Sequence, residues 1–252
     1  MTQTIVFSNH KGGVGKTTST VNIGAGLANY LDKKVLIIDL DPQANLTQSL
    51  GVPNSENHIY GSLTGSYPLT PTVITPNLHI VPSTLDLSGA EVELSAEPGR
   101  EYILRELIDE IKANYDYVLI DTPPSLSLLT INAFTAADQI IIPIQAEYLA
   151  VQGLTKLVEV IEKIKKRLNK HLTLGGLVLT QYDSRKVLHR EVAELVKTHF
   201  PDKVFKTIIR NNITLAEAPS VQQDIFGYNP KSNGAEDYLN LCKEIVALNH
   251  KL

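Results

Sequence analysis

The stretch KGGVGKTT runs from Lys11 to Thr18 and separates two segments of different periodicity. The segment before it, Thr4 to Asn9, has the apolar content of a buried strand, and Lys16 to Leu31 carries apolar residues at helical spacing. Glycines between a strand and a helix let backbone N–H groups curve around an anion at the helix N-terminus. The stretch therefore predicts a phosphate-binding loop at the start of an α/β domain.

Two lysines flank the glycines of this loop. Lys16 can reach the terminal phosphates of a nucleotide, and the hydroxyl of Thr17 next to it can ligate Mg²⁺. The general pattern G-x-x-x-x-G-K-[ST] begins with glycine at position 10, where this chain has His10, and Lys11 follows as an additional cation. Lys16 suffices for a phosphate bound to its own chain. Lys11 precedes the glycines and is not needed for that contact.

Strand-like apolar runs alternate with helical periodicity almost to the end of the chain. This alternation predicts an α/β fold, with a mainly parallel twisted sheet and helices on both faces, in one domain over residues 1–252. The segment 51–75 has little periodicity and predicts a long surface loop, a candidate for partner selection. The other predicted strands are 34–39, 78–83, 116–121, 139–144, 175–182 and 203–209, and the other predicted helices are 100–113, 127–136, 150–169, 186–199 and 234–248.

Acidic residues follow two of these strands. The second strand ends in DLDPQAN, which places Asp39 and Asp41 on the same side of an extended segment. Another strand ends at Asp121, in YVLIDTPPSLS. Because ligands of parallel sheets bind beyond the carboxyl ends of the strands, these acids are candidates for a magnesium shell and for a carboxylate that orients water. Together with the loop they predict a site for nucleoside-triphosphate hydrolysis.

The composition excludes several classes of protein. The 252 residues are 43% hydrophobic and 20% charged, with a net charge of −4, which is not typical of a dedicated nucleic-acid protein. The single cysteine, Cys242, cannot form an internal disulfide or hold an iron–sulfur cluster with a second cysteine of the chain. With no secretion signal in the sequence, we expect a cytoplasmic protein.

The motifs KGGVGKTT, DLDPQAN and DTPPSLS, with NNITLAEAPS (residues 211–220) and YNPKSNGAEDY (residues 228–238), resemble the ParA family of DNA-partitioning ATPases. The similarity covers about residues 3 to 248 and is to the short, Soj-like branch. It implies a P-loop NTPase with a deviant Walker A loop, which binds ATP and Mg²⁺ and hydrolyses ATP. It also implies an ATP-dependent homodimer, nonspecific binding to double-stranded DNA on the nucleoid, and stimulation by a ParB-like partner.

The resemblance assigns roles to individual residues. Lys11 matches the lysine that reaches the ATP of the other protomer, Asp41 the carboxylate that positions water, and Asn212 an asparagine near the adenine. Lys11, Lys16 and Asp41 are the implied catalytic residues, and Thr17, Asp121 and Asp41 the implied magnesium site. The implied ATP-binding residues are Lys11, Gly12, Gly13, Val14, Gly15, Lys16, Thr17, Thr18 and Asn212.

The DNA-binding residues are carried over less completely. Members of the Soj-like branch use an arginine in a D-x-R context, present here as Arg185, and another just before L-x-E-A-P-S, where this chain has Thr214. Loss of a phosphate contact lowers affinity for DNA unless another cation replaces it. Arg210, Lys186 and Arg190 are candidate replacements. The proline that relatives often carry before this segment is also absent, because the chain reads Arg210, Asn211 and Asn212.

Alternative functions stay open. The ATPase could position a protein cargo, or it could cycle on membranes like MinD, for which the C-terminal apolar stripe of Leu239, Leu241, Ile245, Val246 and Leu248 would have to face lipid. Such a stripe is more typical of a helix packed on the sheet, so no stable membrane association is expected. A metabolic kinase would need substrate-binding features that the sequence does not show. The cations of EKIKKRLNKH, residues 162–171, are typical of the solvated end of an amphipathic helix.

Overall fold

A computed structural model describes residues 1–52, 57–147 and 150–249. Its described part contains a seven-stranded sheet in the order β3-β4-β2-β5-β1-β6-β7. Every neighbouring pair is parallel except β3 and β4, which are antiparallel. The predicted α/β fold is therefore confirmed. The strands are β1 (Gln3–Phe7), β2 (Val35–Asp39), β3 (Thr72–Thr75), β4 (Leu78–Val81), β5 (Tyr117–Asp121), β6 (Gln139–Gln145) and β7 (Thr173–Thr180).

Helices cover both faces of the sheet. One hydrophobic cluster contains residues of α5 to α8, and the other contains residues of α1, α10 and α11. The helices are α1 (Lys16–Tyr30), α2 (Asn45–Ser49), α3 (Ile59–Leu63), α4 (Leu87–Glu93), α5 (Ile103–Ile111), α6 (Leu128–Ala136), α7 (Ala150–Arg167), α8 (Val187–His199), α9 (Thr214–Glu217), α10 (Ile225–Tyr228) and α11 (Asn233–Asn249).

The central strands end at the same edge of the sheet. β2 and β5 are buried along their whole length, as expected for Val-, Leu- and Ile-rich strands covered on both faces. Their register pairs Asp39 with Asp121, and β1 pairs Phe7 with Asp121. The loop after β1 and the acids after β2 and β5 therefore converge at one edge, which is the edge that the sequence predicts for the site.

The predicted strand at 203–209 is wrong. The chain there forms isolated parallel bridges, Leu177 with Val204 and Tyr182 with Arg210. The carboxylate of Glu244 on α11 accepts hydrogen bonds from the backbone N–H groups of Lys206 and Thr207, at 2.8 and 3.0 Å. These two N–H groups are consequently lost to the sheet, so the segment runs beside β7 without forming a continuous ladder.

The loop predicted at 51–75 is also partly wrong, since α3 and β3 lie within it; residues 53–56 of that range are outside the described part. The Tyr67 hydroxyl bonds to both the backbone N–H and the carbonyl of His58, at 2.9 and 3.1 Å, and Ile59 and Leu63 are buried in the core. Contacts between side chains and backbone thus order this segment. Such contacts leave little periodicity in the sequence, which is why the sequence predicts a loop.

Helix α1 lies close to the sheet because it carries small residues. A Cβ atom at Gly24 would lie 3.0 Å from Cγ1 of Ile37, closer still to its Cδ1, and 3.6 Å from Leu119. Both neighbours belong to buried central strands, which have little room to move. The height of α1 above the sheet, and with it the position of the loop that precedes α1, depends on this glycine.

We expect Gly24→Ala to lower the free energy of unfolding by about 1–3 kcal/mol, because the added methyl group overpacks the contact with Ile37. Gly89→Ala is the matched control: Gly89 is also helical, and a Cβ there meets nothing within 4 Å. The control should gain up to about 1 kcal/mol from helix propensity. Urea unfolding followed by circular dichroism measures both, and equal stability of the two variants would contradict the packing argument.

Candidate phosphate-binding site

The loop from Lys11 to Gly15 joins β1 to α1. Gly13 and Gly15 have φ of +75° and +87°, in the left-handed region that favours glycine. Gly15 is the N-cap of α1, and no side chain caps the first turn of the helix. The N–H groups of that turn have no intrahelical acceptor, and the helix dipole adds positive charge at this end. The loop can therefore bind an anion through its backbone, as the sequence predicts.

The end of β7 holds the loop in place. The Thr180 hydroxyl donates a hydrogen bond to the carbonyl of Val14 at 2.8 Å, and the Gln181 amide donates one to the carbonyl of Gly13 at 2.6 Å. These contacts join residues 166 and 168 positions apart in the chain. Thr180 and Gln181 were missed in the sequence, although polar residues at the carboxyl end of an apolar strand are the available signal.

Lys16 lies inside the loop. Its side chain is buried, and its Nζ lies 3.4 Å from the carbonyl of Lys11. Burial lowers the pKa of Lys16, and the carboxylates of Asp121 and Asp41 act against that shift. The ammonium group is thus held among acceptors next to the free amides of α1, where an incoming phosphate would bind it.

Thr17 and Asp121 form the second part of the site. The Thr17 hydroxyl donates a hydrogen bond of 2.6 Å to one oxygen of Asp121, and the other oxygen is buried without a partner among the described residues. Burial, and then the charge of Asp39, raise the pKa of Asp121 well above its ordinary value. An unpartnered carboxylate oxygen beside a hydroxyl suits a hydrated Mg²⁺ ion.

The donors present fit Mg²⁺ that is shared with phosphates. Within the described ranges, no group of three or more His, Cys, Asp or Glu side chains could hold a metal ion. Mg²⁺ seldom needs such a group, because it keeps several waters and is bound by one or two protein ligands together with substrate phosphates. The predicted positions Thr17 and Asp121 lie together, and Asp41 is near enough to Lys16 to influence its pKa.

Asp39 and Asp41 have different environments. Asp39 is fully buried and accepts hydrogen bonds from the backbone N–H and the hydroxyl of Thr47, at 2.9 and 2.7 Å. Burial raises the pKa of Asp39 to about 6. Asp41 accepts a bond from the Gln43 N–H at 3.0 Å, and the Ser83 hydroxyl bonds to the Asp41 carbonyl at 2.8 Å. Asp39 thus anchors the turn after β2, and the carboxylate of Asp41 is held by the N–H of Gln43 within that turn.

The side chain of Lys11 faces solvent, whereas the side chain of Lys16 is buried. The Lys11 side chain is 47% exposed and its Nζ forms an ion pair with Glu147. Its backbone N–H donates to Asn9 Oδ1 at 3.0 Å, and the imidazole of the neighbouring His10 packs against Gly153 on α7. The two lysines therefore have different surroundings: the side chain of Lys16 is buried, and the side chain of Lys11 faces solvent.

The predicted adenine and DNA residues lie near the end of β7. Asn212 Oδ1 accepts hydrogen bonds from the N–H and the hydroxyl of Thr214, at 3.0 and 2.7 Å, and so stabilises the start of α9. Arg210 binds the buried carboxylate of Asp237 through Nε and Nη2 and also contacts Glu236 at 2.6 Å. Two acids therefore balance the charge of Arg210 within the chain.

The other three predicted DNA residues surround the first turn of α8. Arg185 is 88% exposed and forms a bidentate pair with Asp183, at 2.9 and 2.8 Å, which holds the pKa of that carboxyl well below its usual range. Lys186 is the N-cap residue of α8, and Arg190 Nη1 donates to the Ser184 carbonyl at 2.6 Å. The structure brings these three cations together, and all three are exposed.

We expect Thr180→Val to weaken binding of a nucleoside triphosphate about tenfold, because it leaves the Val14 carbonyl without its donor and loosens the loop. Thr173→Val is the control, since it removes a threonine bond at the opposite end of the same strand. Titration with a fluorescent ATP analogue measures both. Unchanged affinity in Thr180→Val would show that β7 does not hold the loop.

Comparison with known proteins agrees with this geometry. A family described as "AAA domain" matches residues 2–174. The "Chromosome-partitioning ATPase Soj" of Treponema pallidum is 45% identical over 250 residues, which are 98% of each chain.

Solved structures share the fold. The cobyrinic acid a,c-diamide synthase of Mycobacterium smegmatis, with bound ADP and magnesium, superposes with a TM-score of 0.84 at 33% identity, over 96% of this chain and 93% of that one. The septum site-determining protein MinD of Pyrococcus horikoshii, complexed with Mg-ADP, gives a TM-score of 0.82 at 26% identity, over 99% and 98%. With the full-length similarity to partitioning proteins as the decisive finding, this chain belongs to the Soj and ParA family of partitioning ATPases.

Proposed function

We propose that this protein is a dimerising ATPase that uses ATP and Mg²⁺ to drive the partitioning of a plasmid or chromosome. The observation that carries the proposal is the division between its two loop lysines. Lys16 is buried beside the loop amides of its own chain, whereas Lys11 is half-exposed and paired with Glu147 at the surface. The half-exposed side chain of Lys11 is therefore available to a nucleotide bound by another copy of the chain.

The nucleotide site supports ATP hydrolysis. The loop Lys11–Thr18 would bind the phosphates, with Thr17 and Asp121 holding Mg²⁺ between them. When bound, Mg²⁺ neutralises charge on the phosphates. Asp41, fixed by Gln43 and Ser83 at the end of β2, would orient the attacking water. Relatives described as partitioning ATPases and neighbours solved with ADP and magnesium support the same chemistry.

Lys11 would complete the site of the partner subunit. To do so its ammonium group must leave Glu147, and an exposed ion pair of this kind contributes at most about 1 kcal/mol. The charge-assisted contact with a triphosphate, in a site closed off from water by the second subunit, is stronger than that pair. ATP would thus favour the dimer, and hydrolysis would remove the contact.

We expect Lys11→Ala to bind ATP with affinity close to that of the unaltered chain and to lose ATP-dependent dimers and hydrolysis. Lys16→Ala, which removes the lysine inside the loop, should instead lose ATP binding itself. Light scattering with and without ATP, beside titration of a fluorescent ATP analogue, separates the two effects. Dimers that persist in Lys11→Ala would refute the role in trans.

Nonspecific DNA binding is part of the proposal. Arg185, Lys186 and Arg190 lie together at the end of β7 and the start of α8, with the Arg185 guanidinium exposed. Arg210, which Asp237 and Glu236 already bind, is the weakest of the predicted contacts. A dimer presents two such groups of cations, and each added phosphate contact steepens the dependence of affinity on salt.

We expect Arg185→Glu to abolish ATP-dependent DNA binding and to leave ATP binding intact, because it replaces an exposed phosphate donor by a carboxylate beside Asp183. Lys243→Glu on the exposed side of α11 makes the same charge change elsewhere and is the control. A gel shift with ATP at moderate salt distinguishes them. An unaltered shift in Arg185→Glu would remove this residue from the DNA contact.

The proposed partner is a ParB-like protein that stimulates hydrolysis, and the proposed location is the cytoplasm, on the nucleoid. A membrane-cycling role is less consistent with α11, because Leu241, Cys242 and Ile245 are buried against the core, and Leu239 and Val246 pack beside them. Across the described ranges, no helix has the length and apolar character needed to cross a bilayer. A protein cargo in place of DNA remains the alternative, which a ParB-like gene next to this one would disfavour.

A further inference from the structure

The C-terminal end of α7 carries a group of cations that the proposed function leaves unused. We call Lys163, Lys165, Lys166, Arg167 and Lys170 the α7 basic patch. Lys165 is half-buried, and the other four are exposed. In the part of the chain that the structure describes, none of the five forms an ion pair. Glu159 and Glu162 lie one turn before Lys163 and Lys166 on the same helix, but in the described chain no acid lies within ion-pair distance of these cations.

The backbone beneath the patch is fixed. Asn169 Nδ2 donates to the carbonyls of Phe134, Thr135 and Ala137, at 3.1, 3.1 and 2.6 Å, which ties the end of α7 to the end of α6. Ile161 and Ile164 are buried in the core on the other side of the helix. The cations project from a rigid support, so that binding an anion costs side-chain entropy without ordering the backbone.

The patch and Arg185 lie at opposite edges of the sheet. The patch ends just before β7 begins at Thr173, whereas Arg185 follows the end of β7 at Thr180. A strand of 8 residues separates the two edges by about 25 Å. The patch and Arg185 therefore occupy different ends of the same strand, and the patch is positioned to meet a polyanion other than the segment bound at Arg185.

The chemistry of the patch fits a phosphate backbone better than a lipid surface. Amphipathic segments that bind membranes insert bulky apolar side chains between their cations. Here Ile164 is buried, and Leu168 packs against the core, with its carbonyl 3.3 Å from the Tyr102 hydroxyl. Lysines at a helix end without an apolar anchor bind an anionic partner through charge alone. Duplex DNA carries a high density of negative charge on its phosphates, which suits such binding.

We propose that the α7 basic patch is a second contact for duplex DNA, through which one molecule joins two DNA segments; this rests on the proposed DNA binding at Arg185. DNA bound at Arg185 raises the local concentration of DNA around the patch. Weak phosphate contacts at the patch are then enough to hold a second duplex segment. The protein would in this way crosslink the DNA it is carried on, in addition to holding a single duplex.

The test is capture of one duplex by another. A biotinylated nonspecific duplex is fixed on beads, the protein is added with ATP, and a second, fluorescent duplex is offered. The patch variant is Lys163→Gln/Lys166→Gln/Arg167→Gln, since glutamine keeps the helix propensity of lysine and arginine. The control, Lys34→Gln/Lys206→Gln/Lys243→Gln, loses the same charge at exposed positions that also form no ion pair in the described chain.

We expect the unaltered chain and the control to capture the second duplex. The patch variant should bind the first duplex within about twofold of the unaltered chain and capture at least about tenfold less of the second. The salt dependence of capture, as the slope of log K against log[salt], should fall by about 2.7 for three lost phosphate contacts.

The outcomes separate this proposal from the proposed function. Equal capture by the patch variant and the control overturns the second contact alone, provided that Arg185→Glu still loses the first duplex. Failure of the unaltered chain to retain the first duplex overturns both. Loss of binding to phosphatidylglycerol vesicles in the patch variant, with unaltered DNA capture, would assign the patch to a membrane and overturn the proposal.

Discussion

The carboxyl group of Asp121 is fully buried. One of its oxygens accepts a hydrogen bond from the Thr17 hydroxyl, and the other has no partner among the described residues. Burying a carboxyl group with one oxygen that accepts no hydrogen bond costs free energy, since the group has lost its water without a full set of donors. A bound cation would reverse this penalty. Ligands that bind the folded chain stabilise it, so a metal–nucleotide complex bound at this carboxylate would also raise the free energy of unfolding.

Parallel strands make that contact possible. Because β1, β2 and β5 end in register, the loop after β1, the turn after β2 and Asp121 meet within a few ångströms of one another. Asp39 stabilises the turn by binding Thr47, whose hydroxyl in turn accepts the N–H of Ser83 at 2.9 Å. The segments after β2 and β4 are joined through this pair, so that Asp41 is supported from two sides of the sheet edge.

The sequence was enough for the α/β fold and for the glycine-rich turn between β1 and α1, because both depend on local periodicity and on short fixed spacings; phosphate binding by that turn stays a prediction. Contacts between distant residues were not predictable. The bonds of Thr180 to Val14 and of Glu244 to the 206–207 backbone leave no periodic trace, and the latter made the predicted strand at 203–209 wrong. The sequence around Arg210 likewise does not predict its ion pair with Asp237, which lies 27 residues later.

Both margins of the sheet carry features that oppose further strand pairing. Beside β7, the segment held by Glu244 occupies the ladder positions with bonds between Leu177 and residues 203 and 205, and β3 at the other margin stands between Pro71 and Pro76. An open margin would allow copies of a protein to join strand to strand, without control and without ready reversal. Such features at both margins disfavour strand-to-strand association between copies of the chain.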